Sequence, residues 1–176
     1  HFIQKELFSD LKEKYPVYIS DIYTLEDSFQ MMKDVGILTK TSEKAESIVK
    51  QIQINFSRLK PVVSKNVAYL IWNEPIMTIG NNTFIDNILT KCGFNNVFSN
   101  LERYPEISIE QLQQAKLDVL FLSSEPYPFK DKHLAYFKEK LPQTKVFLVD
   151  GEYFSWYGSR LIGAVEYFKK LLKSIL

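Results

Sequence analysis

The sequence predicts an α/β protein: a Rossmann-like lobe with a parallel sheet, joined by a long backbone helix to a partial second α/β lobe. Three observations carry that expectation. The runs VAYLIW (67–72), LDVLFL (117–122) and VFLVD (146–150) are unbroken apolar stretches, as strands buried on both faces require. Helical patterns alternate with them, the order that builds a parallel sheet with right-handed crossovers. A long amphipathic stretch precedes all three and separates them from a shorter N-terminal piece.

In chain order, residues 1–40 contain one strand-like run, VYIS (17–20), between helical patterns at 3–14 and 24–35. Thr24 and Asp27 have capping-box spacing, and Gly36 reads as the stop after the second helix. A lone strand cannot form a sheet. This piece is therefore expected to be the remnant of a lobe whose opening strands are lost, or are supplied by another chain. Residues 41–60 place Ala45, Ile48, Val49, Ile52, Phe56 and Leu59 on one helical face, with Thr41 or Ser42 as cap, Glu43 in the first turn and Pro61 closing the segment. At about 1.5 Å per residue this helix spans about 30 Å, enough for a rigid hinge between two pieces; an ordinary helix packed on the sheet is the alternative. Residues 61–176 form the C-terminal lobe, with further helices at 82–92, 108–115, 130–141 and 159–176 and a short strand at 95–98.

The bulk numbers exclude several classes. With 45% hydrophobic and 14% aromatic residues in 176, the chain is globular. Its 22 basic and 21 acidic residues leave no basic excess, so no nucleic-acid partner is expected. No apolar run approaches the roughly 20 residues of a membrane-spanning helix. A single cysteine, Cys92, rules out an internal disulfide. The chain opens on HFIQKELF with neither Met nor signal peptide, and a trimmed product is one expectation. The two histidines, His1 and His133, fall at the chain start and on a helix face expected to be solvated, so a His-rich metal site or a Ser-His-Asp triad is hard to assemble. The six glycines are isolated and match no phosphate loop. TIGNNTF (78–84) offers at most a weak anion site at a helix start on Asn82.

In open parallel sheets, ligands collect beyond the carboxyl ends of the strands. Here those ends read IWNEP (71–75), SSEPYPF (123–129) and DGEYFSWYGSR (150–160). Each joins an acid to aromatic rings: Glu74 with Trp72, Glu125 with Tyr127, Glu152 with Phe154 and Trp156. Rings at a sheet exit either seal the core or line a binding surface, and three such loops at one rim favour the second. Two other uses stay open. Glu125, Glu152 and Ser155 could serve a small α/β enzyme, and the exposed rings could form a protein-interaction patch. In RYPEISIEQL (103–112), Ser108 and Gln111 form a capping box that puts Glu110 in the first turn, either as a dipole partner or as an exposed docking charge.

The order YPVYISDI, a long linking helix, YLIWNEPIMTIGNNTFIDNILTKCGFNNVF, RYPEISIEQL, DVLFLSSEPYPF and VFLVDGEYFSWYGSRL resembles one family. It is similar to the helical-backbone substrate-binding proteins of ABC importers, the cobalamin and iron-siderophore type. The similarity covers nearly the whole chain, and RYPEISIEQL and FSWYGSR are its most specific parts. The resemblance implies two lobes (1–40 as the remnant of the first, 61–176 as the second) joined by the helix 41–60 and clamping a planar chelate: cobalamin, haem or a ferric siderophore. It further implies a periplasmic or extracytoplasmic location, an ABC permease as partner, no catalysis, and no metal or cofactor of the protein's own. Tyr104 would contact ligand and Glu110 would dock on the permease. Trp72, Tyr104, Tyr127, Phe154, Trp156 and Tyr157 would supply aromatic faces, with Glu125 and Arg160 orienting the ligand and Arg160 meeting a carboxylate or phosphate. Half the contacts would lie on the missing part of the first lobe, so these 176 residues alone are expected to bind weakly.

Overall fold

The computed structural model describes residues 11–60 and 64–175. Among them the elements run α1 (Leu25–Leu38), α2 (Ser42–Ser57), β1 (Lys65–Trp72), β2 (Met77–Thr78), α3 (Phe84–Lys91), β3 (Phe94–Asn96), α4 (Ile109–Gln114), β4 (Val119–Ser123), α5 (Asp131–Lys140), β5 (Lys145–Val149), α6 (Glu152–Ser155) and α7 (Leu161–Ile175). The chain is α/β, as its apolar runs predict. β1 lies at the centre, parallel to β3 on one side and to β4 on the other, and β4 is parallel to β5. The short β2 folds back antiparallel on the end of β1.

The two-residue strand period distributes β1 over two cores. Val67 and Tyr69 enter a cluster with Phe121, Val149, Ile88, Phe154 and Phe168, which α1, α2, α3 and α7 cover. Ala68 and Leu70 enter the opposite cluster with Leu120, Leu122, Leu112 and Phe137, covered by α4 and α5. All four of these β1 residues are fully buried, which is why the run carries no polar alternation. The connection leaving β1 packs α3 on one face, and those leaving β3 and β4 pack α4 and α5 on the other. Between β1 and β4 the winding reverses, and the carboxyl ends of those two strands open a crevice there.

α1 and α2 share the first core through Leu25, Phe29, Val49 and Ile52. Asn55 of α2 donates from Nδ2 to the Ile162 carbonyl of α7 at 2.9 Å. The Thr24–Asp27 capping box forms in both directions. Three expectations are corrected. Gly36 does not end its helix, which continues to Leu38; a Cβ there would lie 2.6 Å from that of Ala45, so the glycine lets α1 and α2 approach closely. The turn that follows instead uses Lys40 at φ 58°. The cap of α3 is Thr83, whose hydroxyl accepts the Asp86 N–H, with Asn82 standing outside the helix at φ 53°. Residues 17–20 form no strand. They find no ladder partner among the described residues, and Tyr18 and Ile19 stay exposed. Side chains hold this segment instead: the Tyr18 hydroxyl donates to Asp34, and Arg103 donates to the Tyr23 hydroxyl at 2.6 Å and lies over its ring. The expected helix at 3–14 and the closure at Pro61 fall largely outside the described residues.

Candidate functional site

The crevice is walled by the loops that leave the three long parallel strands. These loops are fastened to one another by the main chain. Tyr127 N–H donates to the Ile71 carbonyl, Ser124 N–H to the Val149 carbonyl, and Gly151 N–H to the Ser124 hydroxyl. A Cβ on Gly151 would sit 2.4 Å from the Ser123 hydroxyl oxygen and 2.7 Å from Glu125 Cγ, so only glycine lets the third loop pass this close to the second. Glu74–Pro75 and Glu125–Pro126, both cis, turn the first two loops at matching positions. Beneath them Tyr69 donates to the Ser123 hydroxyl at 3.0 Å, fully buried, and burial pushes its phenol far above the ordinary value.

Aromatic side chains crown this floor. Trp72 is 39% exposed, ties its indole N–H to the Glu74 carbonyl, and meets Tyr127 edge-on at 5.5 Å in the crevice between β1 and β4. Trp156 is 52% exposed. Its indole N–H donates to Glu125 Oε1 at 2.8 Å, and the Ser155 hydroxyl, also shared with the Gly151 carbonyl, lies 2.7 Å from the same oxygen. Through Oε1, Glu125 thus holds Trp156 in place on the rim. Tyr157 packs edge-on against Phe84 at the start of α3, and Tyr104 stands near it with its phenol raised by partial burial, against the opposing pull of Arg103. Tyr104 and Tyr157 remain exposed.

Two expected site residues are corrected. Phe154 is 0% exposed and packs between Tyr69, Phe121 and Phe168, so it belongs to the core and offers no face to a ligand. The one-turn helix α6 explains the difference: it turns Phe154 inward and delivers Trp156 at its end. Arg160 is engaged internally. It donates to Asp150 at 3.0 Å, lies 2.9 Å from Glu152, and covers the Tyr153 ring, which stacks on Tyr167. Those pairs lock the start of α7 to the third loop and set two carboxylates against the guanidinium, so Arg160 is not an uncompensated cation awaiting a ligand anion.

The residues named for the enzymatic alternative are engaged with neighbours. Glu152 faces Arg160 while Glu125 faces Ser155 and Trp156, and among the described residues neither acid is paired with a histidine. Among the described residues no group of three or more His, Cys, Asp or Glu is placed to hold a metal ion. Cys92 is buried, its thiol pushed well above the ordinary value.

The sequence reading missed His133, which is buried, not solvated. Burial is the main cause that lowers its imidazole below the ordinary value. Its signal was its place three residues after Lys130, where a polar side chain reaches back to the free N–H at a helix start. An open pocket of about 390 Å³ borders Tyr127, His133, Glu74 and Lys132, and another of about 410 Å³ lies along Ser155–Gly158. Glu110 occupies the first turn of α4 behind the Ser108–Gln111 capping box, exposed; the Ser108 hydroxyl and its own backbone N–H hold its carboxyl below the usual range.

Comparison with known proteins adds three findings. The sequence pattern of the periplasmic binding protein family matches residues 1–147. A vitamin B12-binding protein of Vibrio parahaemolyticus is 27% identical over 132 residues, 72% of this chain and 48% of that protein; the chain thus spans about half the length of this curated relative. Two solved structures share the fold. One is a possible iron-binding periplasmic solute-binding protein of Staphylococcus epidermidis, with a TM-score of 0.77 and 20% identity over 95% of this chain and 70% of that one. The other is a periplasmic haem-binding protein of Vibrio cholerae, with a TM-score of 0.76 and 18% identity over 96% and 72%.

Proposed function

The chain belongs to the periplasmic binding protein family, and from that premise we propose that it is part of the substrate-binding component of an ABC importer, which holds a large planar chelate without altering it. The observation that carries this reading is the aromatic rim. Trp72, Tyr104, Trp156 and Tyr157 stay exposed at the carboxyl edge of the sheet, while the rings beneath them are fully buried. Exposed rings over a rigid floor suit a flat apolar ligand, which gains from face contact and needs few polar partners. Cobalamin, haem and ferric siderophores are the class suggested by the relatives named for B12, iron and haem. The location that goes with this role is extracytoplasmic, and no helix of the described residues is long and apolar enough to cross a membrane. In the same reading α2 is the linking helix, residues before it belong to a first lobe, and residues after it form the second.

The only two tryptophans, Trp72 and Trp156, both stand on the rim. A bound chromophoric chelate is therefore expected to quench most of the tryptophan emission. Titration of the whole protein with cyanocobalamin, hemin and a ferric hydroxamate checks this. Unchanged emission with all three would exclude the ligand class.

Glu110 is the proposed permease contact: exposed and charged, in the first turn of α4. Glu110→Ala is expected to lower import in cells that carry it as the sole copy, with ligand affinity and thermal melting as in the parent. Undiminished import would leave Glu110 as no more than a favourable charge at a helix start.

A further inference from the structure

We propose that His133 is a positioning residue of the aromatic rim: its neutral ring holds Tyr127 against Trp72, and proton uptake releases that pair. His133 is the third residue of α5 and 8% exposed. Its Nδ1 accepts the Lys130 N–H at 2.9 Å, so the neutral ring carries its hydrogen on Nε2. Nε2–H donates to the Tyr127 hydroxyl, 3.0 Å away. Tyr127 in turn meets Trp72 at 5.5 Å and Phe129 at 4.8 Å. One imidazole therefore joins the start of α5 to the ring at the point where the winding reverses.

A protonated ring donates from both nitrogens, which sets Nδ1–H against the Lys130 N–H, donor against donor. The ring must turn away. α5 then loses the acceptor at its first turn and Tyr127 loses its anchor. The surrounding charges are few: Lys132 and Lys130 oppose a positive ring, Glu74 from the loop after β1 favours it, and Tyr127 and Tyr136 are neutral neighbours. Burial, with Lys132 adding to it, holds the folded imidazole below its ordinary value. The unfolded or opened chain therefore takes the proton first. The tie is complete above about pH 6.5, weakens as pH falls below it, and is lost through the lower folded value. The pocket of about 390 Å³ beside His133 gives the proton a path from solvent.

Only the effect on ligand affinity rests on the binding function proposed above, so the test has two arms. The first uses no ligand. In Trp156→Phe protein, Trp72 is the one tryptophan, and its emission is followed from about pH 7.5 to about pH 5, across the imidazole range, beside the imidazole nitrogen NMR shifts of His1 and His133. The expected result is an Nε2–H tautomer for His133 and a Trp72 change at the pH where that ring titrates. Adding His133→Gln, whose amide can still accept from Lys130 and donate to Tyr127, is expected to abolish the change. A silent Trp72 during that titration, or one that still responds in the glutamine variant, overturns the proposal. The second arm measures cyanocobalamin affinity in proteins that retain Trp156, with and without His133→Gln. A fall of about tenfold over the same range is expected with His133 in place, and none in the variant. Equal affinity at both pH values beside a responding Trp72 would remove the rim from the effect and overturn it. Failure of cyanocobalamin to bind at any pH counts against cobalamin as the chelate, and the first arm then decides the role of His133 alone.

Discussion

Phe154→Ala is expected to cost about 3–5 kcal/mol of folding stability, the range for truncating a buried aromatic ring. Phe154 has ring neighbours at 5.0 Å (Phe168), 5.1 Å (Tyr69) and 6.1 Å (Phe121), and none of its surface reaches solvent. Strands β1 and β4 and helix α7 all supply rings to that contact. Alanine would leave a void that rigid strands on one side and a pinned helix on the other cannot close. Urea unfolding of parent and variant reads the difference directly. A loss under about 1 kcal/mol, within the range of ordinary point substitutions, would show that the ring is not part of the core.

Trp156→Ala is expected to do the reverse. Half exposed and held by one hydrogen bond to Glu125, the indole contributes little to packing. Stability is expected to move by no more than about 0.5 kcal/mol, as for surface changes in general. Ligand affinity is expected to fall about tenfold to a hundredfold, since an aromatic face covered on binding is worth about 1.5–3 kcal/mol. Calorimetric titration with whichever chelate quenches the parent protein checks the figure, and unchanged affinity would take Trp156 out of the binding surface. Glu125→Gln provides the intermediate case: the amide oxygen still accepts from the indole, and a smaller loss is expected.

The central strands were legible because their burial leaves a plain mark. Residues 67–70 lie between two cores, and a strand covered on both sides is apolar at successive positions, its one hydroxyl, on Tyr69, being hydrogen-bonded. The capping boxes at Thr24 and Ser108 were legible for a similar reason, since each is a local hydrogen-bond exchange fixed by spacing. Residues 17–20 show the limit. Val17, Tyr18 and Ile19 have strand propensity, but a strand exists only with a ladder partner, and that is not a property of four residues. Phe154 was misplaced because a single helical turn reverses which rings face inward, and so short a turn has no periodicity to read. Arg160 was assigned to a ligand because charge is visible in a sequence, whereas its partners Asp150 and Glu152 are brought to it only by the fold. His133 escaped notice because a helix position that looks solvated by pattern is closed over by Tyr127 and Phe129 from a preceding loop.

The segment 153–157 gives neighbouring residues opposite duties. Tyr153 and Phe154 fasten the loop to the protein, and Trp156 and Tyr157 face outward from it. Under mutation these two pairs lie under separate kinds of selection. On the binding function proposed above, a change at 153 or 154 is judged by whether the molecule folds, and a change at 156 or 157 by what it carries. The outward pair can therefore be exchanged, one residue at a time, without first accumulating stabilising changes elsewhere. A descendant could come to carry a chelate of different outline along that route, with the sheet and its ring-filled floor left as they stand.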